Sequence, residues 1–327
     1  MFGNYILDSL AGFVYDLISE GKAMSRSTIS TFQLFQKFPD VETARKYLEA
    51  RLWPAGPICP TCRKGERIGV RKDGFYRCHA CKLDFTVRTA TIFERSHVPL
   101  HKWLYAMYLL VTARKGISSL QLGKEIGITQ KSAWFVLQRL REACGKDLTM
   151  LRGIVEVDEV YLGGLEFNKH MKKRMYGDAG VPAKTAVIGM RERNGRTKAV
   201  VPQTVSTVAV EKAIRDNVDP TATIHTDEFR AYRRVGKSFN HQTINHLKGE
   251  YSVNGVSTNG IESVWAVLKR GLHGVYHHAS KKHMGRYVDE FTFRLNDGNV
   301  KRHTWDRLDS FVDAVAGKRL TYKRLTA

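Results

Sequence analysis

The chain has 327 residues, 43% of them hydrophobic, which allows two or three domains with cores of their own and excludes a disordered tail. Its formal net charge of +21 points to a polyanionic partner, most simply nucleic acid, because each neutralised phosphate releases counterions. No run reaches the roughly 18 apolar residues of a spanning helix; the best, "LHKWLYAMYLLVTA" from Leu100, is short and carries His101 and Lys102 near its start.

The N-terminus lacks the basic region of a secretory signal. Met24 opens "MSRSTISTFQLFQKFPD", which reads as a natural start, so residues 1–23 are expected to be an upstream extension without a role in function. Residues 24–55 form a helical segment. Its helix after Pro39 has Asp40 as N-cap and Ala44, Tyr47 and Leu48 as its apolar stripe. "RLWPAGPICPTC" then marks a boundary.

Four of the five cysteines form two C-x-x-C pairs, Cys59/Cys62 and Cys78/Cys81, fifteen residues apart. Two such knuckles deliver a tetrahedral thiolate set that suits Zn²⁺ and leave no open position for substrate, so the site is structural. A short hairpin around "KDG" completes a zinc ribbon over residues 56–93. Arg63, Lys64, Arg67, Arg71, Lys72, Arg77, Lys82 and Arg88 make it basic and favour nucleic acid over a merely solvated surface. His79 is expected to be exposed, and Cys144 to be a small core residue.

Residues 94–150 read as a helix-turn-helix domain. An apolar helix over 99–113 has Pro99 in its first turn. In "KGISSLQLGKEIGITQKSAWFVLQRLREAC", Ser119 caps one helix and Thr129 the next, with Gly127 and Ile128 as the turn. Ala133, Val136, Leu137 and Leu140 fall on one face of the second helix. Gln130, Lys131, Gln138 and Arg139 lie off that stripe and are the candidate groove-facing residues. A purely structural three-helix unit is the alternative.

From residue 151 the pattern changes to strands. "GIVEVDEVYLGG" is one, "KTAVIGMRER" and "TKAVVPQTV" form a hairpin through Asn194-Gly195, a helix capped by Ser206 follows, and "TATIHTDEF" is another strand. Strand alternation puts Glu156 and Asp158 on one face and Glu159 on the other; Asp227 shares a face with His225. If the two strands are neighbours, Asp158 and Asp227 meet at one sheet edge. Two close carboxylates repel unless a cation lies between them, and Mg²⁺ prefers oxygen ligands. Glu262, on the helix "NGIESVWAVLKRGL", is the candidate third acid, with Lys269 two turns on. Glu262 also fits a capping box with Asn259 as N-cap, so a capping role competes with a ligand role. Glu250 is a rival third ligand in a Gly/Asn-rich loop. Further on, "SKKHMGRYVDEFTFRLN" reads as a helix, and residues 301–327 as a basic C-terminal tail whose end, "GKRLTYKRLTA", is expected to be loose.

The order Asp158, Asp227, Glu262 with Lys269 resembles the D-D-E set of transposases and retroviral-type integrases. "NGIESVWAVLKRGLHGVYHHASKKHMGRYVDEFTFRLN" resembles the C-terminal block of bacterial insertion-sequence transposases that carry an N-terminal zinc ribbon, and residues 38–62 resemble their opening. The resemblance spans residues 30–300. It implies an α/β, ribonuclease H-like mixed sheet with flanking helices over 151–300, preceded by the ribbon and the helix-turn-helix. It also implies a DNA transposase that cuts and joins DNA at an element's ends by two-metal phosphoryl transfer with Mg²⁺ or Mn²⁺. Asp158 would bridge both ions, Asp227 and Glu262 would hold one each, and Lys269 would steady a phosphate. The implied partners are terminal inverted repeats and target DNA. Joining two ends asks for at least a homodimer, and no membrane is involved; a cytoplasmic, nucleoid-associated location is expected. His277 and His278 stand outside the catalytic set, and Glu156 is either a helper ligand or a solvated neighbour. A non-catalytic DNA-binding protein and a nuclease without strand transfer are the competing readings.

Overall fold

The computed structural model describes residues 28–145, 147–163, 184–246, 252–277 and 279–327. The expected extension over 1–23, Glu250 and His278 lie outside the described residues. Among these residues no helix is long and apolar enough to cross a membrane.

Short polar side chains start most of the helices. α1 (Thr31–Lys37) has a full capping box between Ser30 and Gln33, and α2 (Val41–Leu52) starts at Asp40, whose carboxylate accepts from Thr43 N. β1 (Ile68–Val70), β2 (Tyr76–Cys78) and β3 (Asp84–Phe85) form the antiparallel sheet of the zinc ribbon. Gly74 turns the first hairpin at φ +74°, a conformation that favours glycine. Trp53, just past α2, meets Tyr76 and Phe85 edge-on and ties the ribbon to the helices.

α3 (Leu100–Thr112), α4 (Ser119–Ile126) and α5 (Gln130–Cys144) form the helix-turn-helix. The cap of α4 is Ser118 rather than the expected Ser119. Ser118 has the extended backbone an N-cap needs and accepts from Gln121 N, whereas Ser119 is already helical. Gly127 ends α4 in the left-handed region, and Thr129 caps α5.

The second sheet contains β4 (Ile154–Leu162), β5 (Thr185–Glu192), β6 (Thr197–Val200), β7 (Thr223–Thr226) and β8 (Asn240–Thr243), in the order β6-β5-β4-β7-β8. β4, β5 and β6 run antiparallel, β7 runs parallel to β4, and β8 runs parallel to β7. This is the ribonuclease H-like mixed sheet. Period-two alternation divides β4 between two cores. Val155 and Val157 face α6 (Thr207–Arg215), while Val160 and Leu162 pack with α7 (Asn259–Gly271) and α8 (Lys281–Leu295).

α8 also joins the two modules. Arg141 of α5 donates to Glu290 of α8 at 2.7 Å with both side chains buried, and Arg294 and Tyr276 complete the network. Burial alone would raise the Glu290 carboxyl, but Arg294 and Arg141 hold it at about 2.

The C-terminal segment corrects the expectation of a basic tail over 301–327 that is loose over 317–327. α9 (Thr304–Asp313) buries Leu308, Phe311 and Val312 in the same core as α1 to α5. Leu320, and Leu325 of α10 (Tyr322–Thr326), are buried too. The basic residues that suggested looseness alternate with these apolar anchors.

Candidate active site and zinc centre

In the ribbon, Cys59, Cys62, Cys78 and Cys81 bring their sulfurs within 4.8 Å of one another. Each knuckle is followed by a residue in the left-handed region, Arg63 and Lys82, so the backbone curls around the sulfurs. The Cys81 amide leads the hydrogen bonds that hold the Cys78 thiol down at about 6, while burial pushes Cys81 up to about 12. Such opposed shifts are what thiols sharing charge in one small space show, and a cation among them removes the conflict. The donor set fits a structural Zn²⁺ with a closed tetrahedral shell.

The acids lie along the two neighbouring interior strands of the larger sheet, β4 and β7, and on the helix that packs against them. The parallel register of β4 with β7 pairs Glu156 with His225. Two residues on, the same register brings Asp158 opposite Asp227, just past the end of β7. Glu262 lies in the first turn of α7, the helix that covers this face. Lys269 is exposed on the same helix.

Asp158 is gripped from two sides. Trp265 Nε1 donates to its Oδ2 at 2.9 Å, and the Glu159 amide donates to Oδ1 at 2.8 Å. The Trp265 ring sits on Gly189, the residue paired with Asp158 across β4 and β5. A Cβ at Gly189 would come within 2.4 Å of that ring, so only glycine permits this approach. Burial raises Asp158, and the charges of Asp227 and Glu262 raise it further, against the pull of its two donors, to about 6. Asp227 and Glu262 are therefore each within electrostatic reach of Asp158. Their oxygens do not converge as the cysteine sulfurs do, which alone among the described His, Cys, Asp and Glu groups reach ligand spacing.

Glu159 faces the other way and accepts from Tyr232 Oη at 2.6 Å. Burial and the neighbouring acids push it up to about 7. Glu156 is not the solvated neighbour that was one of its two expected roles. It is buried and accepts the Ile261 amide at 3.0 Å, which caps the N-terminus of α7. Gly260 leaves room for it, since a Cβ there would lie 2.4 Å from Glu156 Oε2. Arg193 bonds both Glu156 and His225 at 3.3 Å, so β4, β7 and α7 share one polar joint.

The expected capping box at Asn259 is not formed. The N-cap of α7 is Thr258, one residue earlier, and Glu262 reaches no backbone amide there. Its carboxylate instead accepts from Thr258 Oγ1 at 3.0 Å and lies 3.5 Å from His246 Nε2. Of the four candidate groove-facing residues, Gln130 and Lys131 are exposed at the first turn of α5. Gln138 and Arg139 are buried, which overturns their expected outward position. The chain at Leu320, α10 and residues 92–94 cover that side of α5: Phe135 meets Tyr322 edge-on, and Arg139 donates to the carbonyls of Leu320, Ile92 and Glu94.

Residues 150–296 match the model of the ISXO2-like transposase domain, and residues 39–84 match that of the transposase zinc-ribbon domain. An uncharacterized transposase-like protein of Haemophilus influenzae is 32% identical over 103 residues, covering 31% of this chain and 82% of that protein. The chain is thus similar to insertion-sequence transposases of the ISXO2-like kind over residues 150–296 and to their zinc ribbon over residues 39–84. An uncharacterized protein in the transposable element ISH50 of Halobacterium salinarum is 29% identical over 256 residues, 74% of this chain and 86% of that protein. Solved structures are similar only remotely. A chain of a simian T-cell lymphotropic virus intasome complex has a TM-score of 0.27 at 13% identity, over 57% of this chain and 68% of that one. A chain of the Mos1 strand transfer complex has a TM-score of 0.19 at 11% identity, over 60% and 76%.

Glu156, Trp265, Thr258, His246 and Arg193 are site residues that sequence reasoning missed or left open. For Trp265 a signal was present: it lies three residues after Glu262, one helical turn along the same face. For His246 and Arg193 no spacing rule applies, because sheet pairing and the loop path bring them in.

Proposed function

We propose that this protein is a DNA transposase that cleaves DNA at the ends of its element and joins the freed ends to target DNA, with Asp158, Asp227 and Glu262 as the acids that hold the divalent cations. What supports this reading is the parallel register of β4 with β7, which carries Asp158 and Asp227 on neighbouring strands, together with the helix packed on that face, whose first turn bears Glu262. Burial, and then the charges of Asp227 and Glu262, raise Asp158, a cost that cation binding would relieve.

Bound Mg²⁺ or Mn²⁺ supplies the positive charge that offsets the negative charge building on the phosphoryl oxygens. The chain supplies position. Asp158, Asp227 and Glu262 would hold the cations. Lys269, exposed two turns along α7, contacts a DNA phosphate. In the first step a water oxygen bonds to phosphorus and the bond to the 3′-oxygen breaks. In the second step the freed 3′-hydroxyl gives up its proton and bonds to a target phosphorus, and the target's own bond from that phosphorus to its 3′-oxygen breaks, leaving a target 3′-hydroxyl. No covalent enzyme intermediate is required. Gln130 and Lys131 lie where the N-terminal turn of a helix-turn-helix reads a major groove, and the basic ribbon adds backbone contacts. The substrate is thus the terminal inverted repeats, held by at least a homodimer, in the cytoplasm at the nucleoid.

The test is product analysis. Duplexes carrying the DNA that flanks the gene are incubated with the protein, a target plasmid and Mg²⁺. Joined products are expected. Cut ends that never join would instead describe a nuclease, and binding without cutting would describe a DNA-binding regulator.

A further inference from the structure

The start of α7 shows an unusual division of labour. A threonine at an N-cap ordinarily turns its hydroxyl to the second or third amide of its helix. Thr258 occupies that position, with Glu262 N bonded to its carbonyl, yet its side chain makes no capping bond. The amide it would take, that of Ile261, is taken by Glu156 from across the sheet. This frees the Thr258 hydroxyl, which is buried, to donate to Glu262 Oε1 at 3.0 Å. His246 Nε2 lies 3.1 Å from the same hydroxyl and 3.5 Å from the same carboxylate oxygen.

The proton positions follow from valence. An ionised carboxylate can only accept, and a hydroxyl has one proton to give. Thr258 gives it to Glu262, so the proton between His246 and Thr258 is on His246 Nε2, whether or not the ring is charged. Without this pair Glu262 would be a half-exposed acid on a helix turn, free among rotamers.

We propose that His246 and Thr258 are positioning residues for the third metal-holding acid: they fix the Glu262 carboxylate at the rim of the site, toward a divalent cation. This rests on the assignment of Glu262 to the cation site. Partners that orient a ligand in this way contribute roughly 10–100-fold to metal affinity or activity when measured by their removal.

The experiment is Mn²⁺ titration of the full-length protein followed by electron paramagnetic resonance, alongside cleavage assays and melting. His246→Ala and Thr258→Val are each expected to weaken Mn²⁺ binding about tenfold or more, with cysteine-bound zinc and melting temperature unchanged. His246→Gln, which keeps an N–H for Thr258, is expected to recover much of the loss. In a Glu262→Gln background His246→Ala should have no further effect, because the group it orients is gone. Unaltered Mn²⁺ affinity in both His246→Ala and Thr258→Val, with Glu262→Gln impaired, would overturn the positioning role alone. Unaltered affinity and cleavage in Glu262→Gln would overturn the assignment of the acid itself.

Discussion

Trp265 donates to Asp158 across the gap between helix and sheet, from a ring seated on Gly189, the partner of Asp158 in the neighbouring strand. One contact therefore sets both the height of α7 above the sheet and the direction of the first acid. Trp265→Phe keeps the ring bulk and removes the donor. The Asp158 carboxyl then loses a bond that favours its charged form, so its pKa should rise above the present value of about 6. A pH–rate profile of cleavage should show the acidic limb displaced to higher pH. An unmoved limb would mean that the bond has no influence on the acid. Gly189→Ala, by contrast, should lower the melting temperature through overpacking, by about 1–3 kcal/mol.

Glu156 links β4 to the N-terminus of α7, and the two ends of that link can be tested separately. Glu156→Gln retains an acceptor oxygen for Ile261 N, whereas Glu156→Ala leaves that amide and Arg193 without it. The alanine variant should lose about 1–3 kcal/mol and the glutamine variant clearly less. Thermal melts of the two proteins would decide; equal losses would show that the cap contributes nothing.

Much of this architecture was legible in the sequence, for physical reasons that differ by element. The cysteine pairs carry their geometry in their spacing, so the zinc centre could be read directly. Strand alternation around Asp158 and Asp227 gave their faces, and the parallel register of β4 with β7 supplied what alternation alone leaves open. The N-terminus of α7 was misplaced by one residue because Thr258 and Asn259 are both good caps. Only the tertiary contact with Glu156 separates them. Gln138 and Arg139 were misread because periodicity shows one apolar face, whereas α5 is covered on several sides by chain nearly two hundred residues away. A buried arginine serving backbone carbonyls looks, in sequence, like a surface arginine.

That misreading has a direct check in DNA binding. Lys131→Ala should weaken affinity and reduce the slope of log affinity against log salt by about one, as loss of a single phosphate contact requires. Arg139→Ala should leave that slope unchanged and destabilise the fold instead, since Leu320, Ile92 and Glu94 lose their shared donor. A salt slope altered by Arg139→Ala in the folded protein would restore the groove-facing role.

Asp289 of α8 offers a pH test away from the acids of the site. Burial, and then the charge of Glu142, push its carboxyl up to about 6 from 3.8. The folded state thus holds this proton more tightly than the unfolded state. Its contribution to stability is present below pH 4 and is lost as pH rises from about 4 through 6, by up to about 3 kcal/mol. Asp289→Asn should remove that loss. Melts of parent and variant should therefore diverge between pH 5 and pH 8, with the variant the more stable at pH 8. Parallel melting curves across this range would contradict the shift.

The most direct measurement of the central claim is Mg²⁺-dependent cleavage of an element-end duplex by the parent protein and by Asp158→Asn, Asp227→Asn and Glu262→Gln, with duplex binding followed in the same samples. Each substitution should reduce strand cleavage by several orders of magnitude while binding to the duplex persists, because the acids act on the phosphate and the ribbon and helix-turn-helix hold the DNA. Cleavage at the parent rate by Asp158→Asn in Mg²⁺ would contradict the account.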